Sequence, residues 1–497
     1  MPKGRGSRRI TTVMDKRKAG VLAPISSLPS SCGIGSFDAE AERFIDFLAS
    51  AGQSYWQVLP LGPTGYGDSP YQSFSSFAGN PYFISLDGLL EENLLSETDV
   101  SSSRKPVGSI DYSWLYETRL EVLRKAFRRF KPDEKHFEFE RQEKWLDEFS
   151  LYMSIKMSLG GQSWQTWPEG LKKRRKSALG EARAFLAEEI EFWKFIQRCF
   201  FKQWGALKER ANRRGISIIG DIPIYAAMDS ADAWAHPELF FFDEDLNPIE
   251  VSGCPPDAFS ADGQLWGNPL YRWDYHKETG FAWWKERILH TKRLYDITRI
   301  DHFRGFQSYY AIPASNKTAK GGHWEAGPGF AFFEAIGKGP FILENLGYLD
   351  REVSDLLERT GCPGMKVLQF AFDSREESDY MPHTYTNNCV VYTGTHDNDT
   401  SAGWFKTAPP EDAELARKYL NVKDGSDGSW EFMRSAYASA ANTAIIPLQD
   451  ILGLGSDARL NTPSTVSGNW RWRYEKEALT DELAGRLKEF TKTYRRD

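Results

Sequence analysis

Short apolar runs, each trailed by a stretch with helical spacing, recur along the 497-residue chain. Residues 21–25 (VLAPI) are the first. A Ser/Pro/Gly-rich loop to 35 and an amphipathic helix over about 38–51 separate it from the second, 55–61 (YWQVLPL). Strand, loop, helix and strand in that order are the unit of parallel sheets. From 86 to about 210 the spacing is helical throughout, with charged segments at 113–130, 138–159 and 176–208 and no strand-like run. Strand-like runs resume at 217–224, 295–301, 340–344, 364–370, 389–393 and 443–448. With the first two they number eight, the count that closes an α/β fold into a (β/α)8 TIM barrel.

By length alone, two or three domains of about 100 to 200 residues compete with one barrel carrying large insertions. The eight runs favour the barrel. A basic, disordered tail is expected over 1–20, barrel strands one and two with an active-site loop over 21–85, and a helical insertion subdomain over 86–210. Barrel strand three is expected over 211–242 and a loop insertion over the active site at 243–275. Strands four to eight and C-terminal helices then occupy 276–497, with no separate C-terminal β-domain.

Composition narrows the partners. Lys plus Arg total 62 and Asp plus Glu 69, a net charge of −7 spread along the chain, so neither nucleic acid nor a membrane surface is expected. The five cysteines (Cys32, Cys199, Cys254, Cys362, Cys389) are odd in number and lack CxxC spacing. That argues against a disulfide framework and a structural zinc, and fits a reducing compartment. Met1–Gly20 holds seven basic residues and one acid without an apolar core of signal-peptide length. A cytoplasmic location is expected, with a plastid transit remnant as the alternative and Met14 as a candidate start. No apolar run approaches the roughly 20 residues of a membrane span. Aromatic residues make up 14% of the chain; most belong to the core, and flat rings with polar handles also suit stacking on sugars.

A barrel of this kind carries its chemistry where strands end. The runs end in Asp221, in Arg299-Ile300-Asp301-His302 and in Leu343-Glu344-Asn345, and the seventh is followed by Thr395-His396-Asp397-Asn398. Alternate residues on a strand share a face, so Arg299 sits beside Asp301 and holds it ionised. Such a carboxylate is a nucleophile, a metal ligand or half of a buried ion pair. Several acids around one mouth repel one another, which a purely structural role does not explain.

Carboxylates with aromatic walls suit glycosyl transfer, in which retention needs a nucleophile and a protonated partner about 5 to 5.5 Å apart. Asp301 fits the nucleophile. Glu344, with no base beside it in sequence, fits an acid kept protonated by burial. Asp397, between His396 and Asn398, fits a stabiliser of the charged sugar. These acids lack the His-rich ligation of catalytic zinc, so no metal and no cofactor is expected. The loop GPTGYGDSPYQSFSSFAGN (62–80) runs past the usual limit of about 12 to 15 residues and is expected to line the site.

Seven stretches carry a family resemblance: LPLGPTGYGDSPYQ (59–72), GDIPIYAAMDSADAW (220–234), PPDAFSADGQLWGNPLY (255–271), RIDHFRGF (299–306), LENLG (343–347), GTHDNDT (394–400) and RLNTPS with GNWRWR (459–464, 468–473). In these the chain resembles the 4-α-glucanotransferases called amylomaltase or disproportionating enzyme, family 77 of the glycoside hydrolases, in the α-amylase clan. The resemblance implies Asp301 as nucleophile, Glu344 as acid/base and Asp397 as transition-state stabiliser. It implies sugar-binding roles for Asp221, Arg299, His302, His396 and Asn461, with Tyr71, Trp266 and Asn268 along the glucan chain. His302 and His396 have an alternative role as residues that orient the neighbouring acids.

The implied substrates are α-1,4-glucans and maltooligosaccharides, with glucose as an acceptor, for a monomer or homodimer. A hydrolase of the same clan and an inactive glucan-binding protein are the competing readings. The chain departs from the family pattern at Asn345 (usually Asp), Leu460 (usually Met) and Ser464 (usually Gly), which bears on the pKa of Glu344 and on acceptor preference.

Overall fold

The computed structural model describes residues 14–256, 260–347, 349–423 and 425–497. Its centre is a closed barrel of parallel strands: β1 (Lys18–Leu22), β2 (Tyr55–Gln57), β3 (Ser217–Ile222), β4 (Ile297–Ile300), β5 (Phe341–Leu343), β6 (Gly364–Val367), β7 (Cys389–Tyr392) and β8 (Thr443–Pro447). Each pairs with its neighbour in the chain, and β8 returns to β1. The eight expected runs are these strands.

Their inward side chains fill the barrel. Leu22, Tyr55, Ile219, Ile297, Ile342, Met365, Val390 and Ile445 form one buried cluster with Met14 and Leu460. Met14 precedes the start of β1 and so closes the amino end, while Leu460 closes the carboxyl end. The interior is packed, so chemistry is confined to the mouth.

Two boundaries differ from expectation. β1 starts at Lys18 and not at 21, because the small residues Ala19 and Gly20 are buried against β8 and β2. The basic cluster hid the strand start. Residues 1–13 of the expected tail lie outside the described residues. The stretch 243–275 is not a loop: Glu250–Cys254 and Gln264–Pro269 pair antiparallel. They are joined by Ser308–Pro313 and His323–Ala326, from the region assigned to the second half of the barrel, in a four-stranded sheet. These strands are short and separated in the chain by helices and by β4. Residues 257–259, inside the expected insertion, lie outside the described residues.

Between β2 and β3 the described chain is helical or irregular, ending in the long helix Ala187–Arg213 that leads into β3. No described strand follows β8. Among the described residues no helix is long and apolar enough to cross a membrane.

Candidate active site

Register brings the acids together. Asp221 on β3 pairs directly with Arg299 on β4, and Ile300 pairs with Leu343 on β5, so Asp301 and Glu344 stand side by side one step further on. Arg299 is buried and reaches all three carboxylates. Its Nη1 donates to Asp221 Oδ2 at 2.6 Å and to Asp301 Oδ1 at 3.1 Å, and its Nη2 lies 3.2 Å from Glu344 Oε1. These three acids keep the guanidinium charged despite its burial.

His302 adds a donor. Its backbone is left-handed, at φ 50° and ψ 52°, which turns its N–H onto Glu344 Oε2 at 2.6 Å. Burial pushes Glu344 up, but Arg299 and this N–H outweigh it, and Glu344 is held below the ordinary glutamate range. Asp301 is pushed well up, by burial first and then by the charge of Glu344, with which it is in hydrogen-bonding contact. The two carboxyls therefore titrate as a pair. Glu344, expected to have no base beside it, has one in Arg299 from the neighbouring strand, invisible along the sequence. The His302 ring is neutral, burial lowering it to about 4.

The opposite wall is a chain of contacts from Asp221 to Asn461. Tyr71 donates its hydroxyl to Asp221 Oδ2 at 2.8 Å and stacks on His396, ring centroids 5.0 Å apart. His396 Nε2 lies 3.4 Å from Asp397 Oδ2, and Asn461 Nδ2 donates to Asp397 Oδ1 at 2.6 Å. Burial raises Asp397, but His396 and Asn461 more than offset it, and its carboxyl sits well below the usual range. The Asp221 side chain is fully buried under Arg299 and Tyr71 and supports those two residues.

Trp266, in the sheet over the mouth, meets the His302 ring edge-on at 4.7 Å. Asn268 sits deeper, donating to the Ala226 carbonyl at 3.0 Å, with its oxygen 3.4 Å from Ser252 Oγ and Gln72 Nε2. It is wall structure. Two residues escaped the sequence reading. Arg459 donates to the carbonyls of Asp397 and Asn461, both at 2.7 Å, tying two loops together, and Trp470 packs on Tyr71 and His396. Both fall within the motifs around 460 and 470, which was the available signal.

The departures are resolved locally. Asn345 is buried and accepts from the Met365 N–H at 2.6 Å, facing β6, so Glu344 is set by Arg299 and His302. Leu460 is core. Ser464 takes φ 65°, a conformation that favours glycine.

A barrel mouth that gathers carboxyls around one arginine under aromatic walls defines an enzyme acting on glycosidic bonds. A family model described as 4-alpha-glucanotransferase, of glycoside hydrolase family 77, matches residues 23–480, and the chain belongs to that family. It is 48% identical over 485 residues to the 4-alpha-glucanotransferase of Clostridium butyricum, covering 95% of this chain and 99% of the relative. To that of Thermus thermophilus it is 47% identical, covering 95% and 97%. The structure of amylomaltase from Streptococcus agalactiae in complex with acarbose superposes with a TM-score of 0.94 at 43% identity, covering 97% of this chain and all of that one. The activity is 4-α-glucan transfer.

Proposed function

We propose that the chain moves segments of α-1,4-glucans onto the 4-hydroxyl of glucose or another glucan by a retaining double displacement. Asp301 is the nucleophile, Glu344 the acid/base and Asp397 the stabiliser of the charged sugar. One observation carries these roles: a single guanidinium touches Asp301 at 3.1 Å and Glu344 at 3.2 Å, which aims both carboxyls at one bond. With a glucan across the mouth, the pair holds one proton, on Glu344, and Asp301 is ionised. Asp301 attacks the anomeric carbon as Glu344 gives that proton to the departing oxygen, leaving a glycosyl ester on Asp301 and a carboxylate at Glu344. Glu344 then takes a proton from the acceptor 4-hydroxyl, which attacks the ester and releases Asp301. The S. agalactiae relative binds acarbose, and the same ligand is expected in this cleft.

Incubation with maltotriose tests the reading. A ladder of longer maltooligosaccharides with glucose is expected, lost in Asp301→Ala. Shorter sugars alone mean hydrolysis, and an unchanged product profile in Asp301→Ala means the nucleophile is misassigned.

A further inference from the structure

The loop over 62–80 carries Tyr71, and its tip is a closed unit: Gly65 N–H donates to the Gln72 carbonyl at 2.9 Å and Phe74 N–H to the Pro63 carbonyl at 3.2 Å. The tip is held on its outgoing side at several points, beginning with Phe74, whose carbonyl accepts from the Ala231 N–H at 2.8 Å. Ser76 N–H donates to Asp232 Oδ2 at 2.7 Å, and His290 Nε2 lies 2.8 Å from the Phe77 carbonyl. The last anchor is at Gly79. Gln197, fully buried on the helix Ala187–Arg213, accepts from the Gly79 N–H at 2.7 Å and donates to the Gly79 carbonyl at 3.0 Å. One amide satisfies both polar groups of one loop residue, as a paired strand would. The contact allows no larger residue, since a Cβ on Gly79 would lie 2.1 Å from the Phe200 ring.

The same helix repeats the device. Gln203 accepts from the Ser85 N–H at 2.7 Å and donates to the Ser85 carbonyl at 3.2 Å, beyond the loop, in a stretch between the loop and this helix that carries no site residue. We propose that Gln197 is a positioning residue for glucan transfer: its amide fixes the outgoing end of the loop so that the Tyr71 hydroxyl meets Asp221 and, through it, holds Arg299. The proposal rests on the site reading above. A displacement of a fraction of an ångström breaks a 2.8 Å hydrogen bond between buried groups, and losses from such misplacement are large for their size.

The test is the kinetics of maltotriose disproportionation by Gln197→Leu and Gln203→Leu, each alone and combined with Tyr71→Phe, well below the Tm of every variant. Gln197→Leu is expected to lower kcat/KM about tenfold. Gln203→Leu, which removes the same pair of bonds elsewhere, is expected to lower Tm and leave kcat/KM within about twofold. In the Tyr71→Phe background the loss from Gln197→Leu shrinks to under about threefold, because the hydroxyl it places is gone. Equal kcat/KM for the two Leu variants, or an undiminished loss beside Tyr71→Phe, overturns the proposal. If Gln197→Leu does not fold, Gln197→Glu, which keeps the acceptor and loses the donor, is read by the same criteria. Tyr71→Phe without effect of its own contradicts the site reading and removes the proposal with it, whereas a damaged Tyr71→Phe beside an intact Gln197→Leu overturns the positioning role alone.

Discussion

At the scale of residues, the site turns on how one buried cation is divided among acids. Asp301 shares Nη1 of Arg299 with Asp221, whereas Glu344 has Nη2 together with the His302 N–H. The two carboxyls are therefore held unequally, in a pair that titrates as a unit. Glu344→Gln removes the proposed acid/base and is expected to lower kcat on natural glucans by about 10² to 10⁴, measured by glucose release from maltotriose. Asp397 gives a stability prediction with a definite sign. Its folded pKa lies below the unfolded value near 3.9. Its contribution is therefore complete above that pH and is lost as pH falls toward the folded pKa. Asn461→Ala removes a donor 2.6 Å from the carboxylate. The Tm difference between wild type and this variant should be largest above about pH 5 and narrow below about pH 4, by scanning calorimetry. A gap that widened in acid would contradict the assignment.

At the scale of elements, the strand ends do the placing, and their packing is testable at Gly364. A Cβ there would lie 2.6 Å from the Asn345 Oδ1, the group that accepts from the Met365 N–H. Gly364→Ala is expected to cost about 1 to 3 kcal/mol in denaturant unfolding and to lower kcat, since Glu344 is the next residue to Asn345. Much of this level was legible beforehand. Each barrel strand lies in a short apolar run, as a parallel sheet buried on both faces requires, and the third, fourth, fifth and seventh lead into acids. The sheet over the mouth was not legible, because its strands come from two separate parts of the chain. Gly253 and Trp266 also break the alternation that marks a strand. Arg299 beside Glu344 was hidden for a related reason, being a contact across strands that only register creates. The burial of Asn268 and Asp221, both expected to bind sugar, and their bonds to the protein were likewise outside what the motifs showed.

At the scale of the whole molecule, the barrel supplies the acids, the sheet supplies Trp266, and the helices between β2 and β3 brace the loop that carries Tyr71. Glucan transfer needs these parts together, since an acceptor must occupy the mouth before water resolves the ester. Trp266→Ala, which removes a wall of that mouth beside His302, is expected to raise the ratio of hydrolysis to transfer, read as reducing ends formed per glycosidic bond broken. The most direct measurement uses Glu344→Gln with α-maltosyl fluoride, a donor whose leaving group needs no proton, followed by mass spectrometry of the intact protein and its peptides. A mass gain of one maltosyl group, localised to Asp301 in the peptide spanning 299–306, is the result predicted. A label on Glu344's replacement, on Asp397 or on any other residue, or no label while fluoride is released, would contradict it.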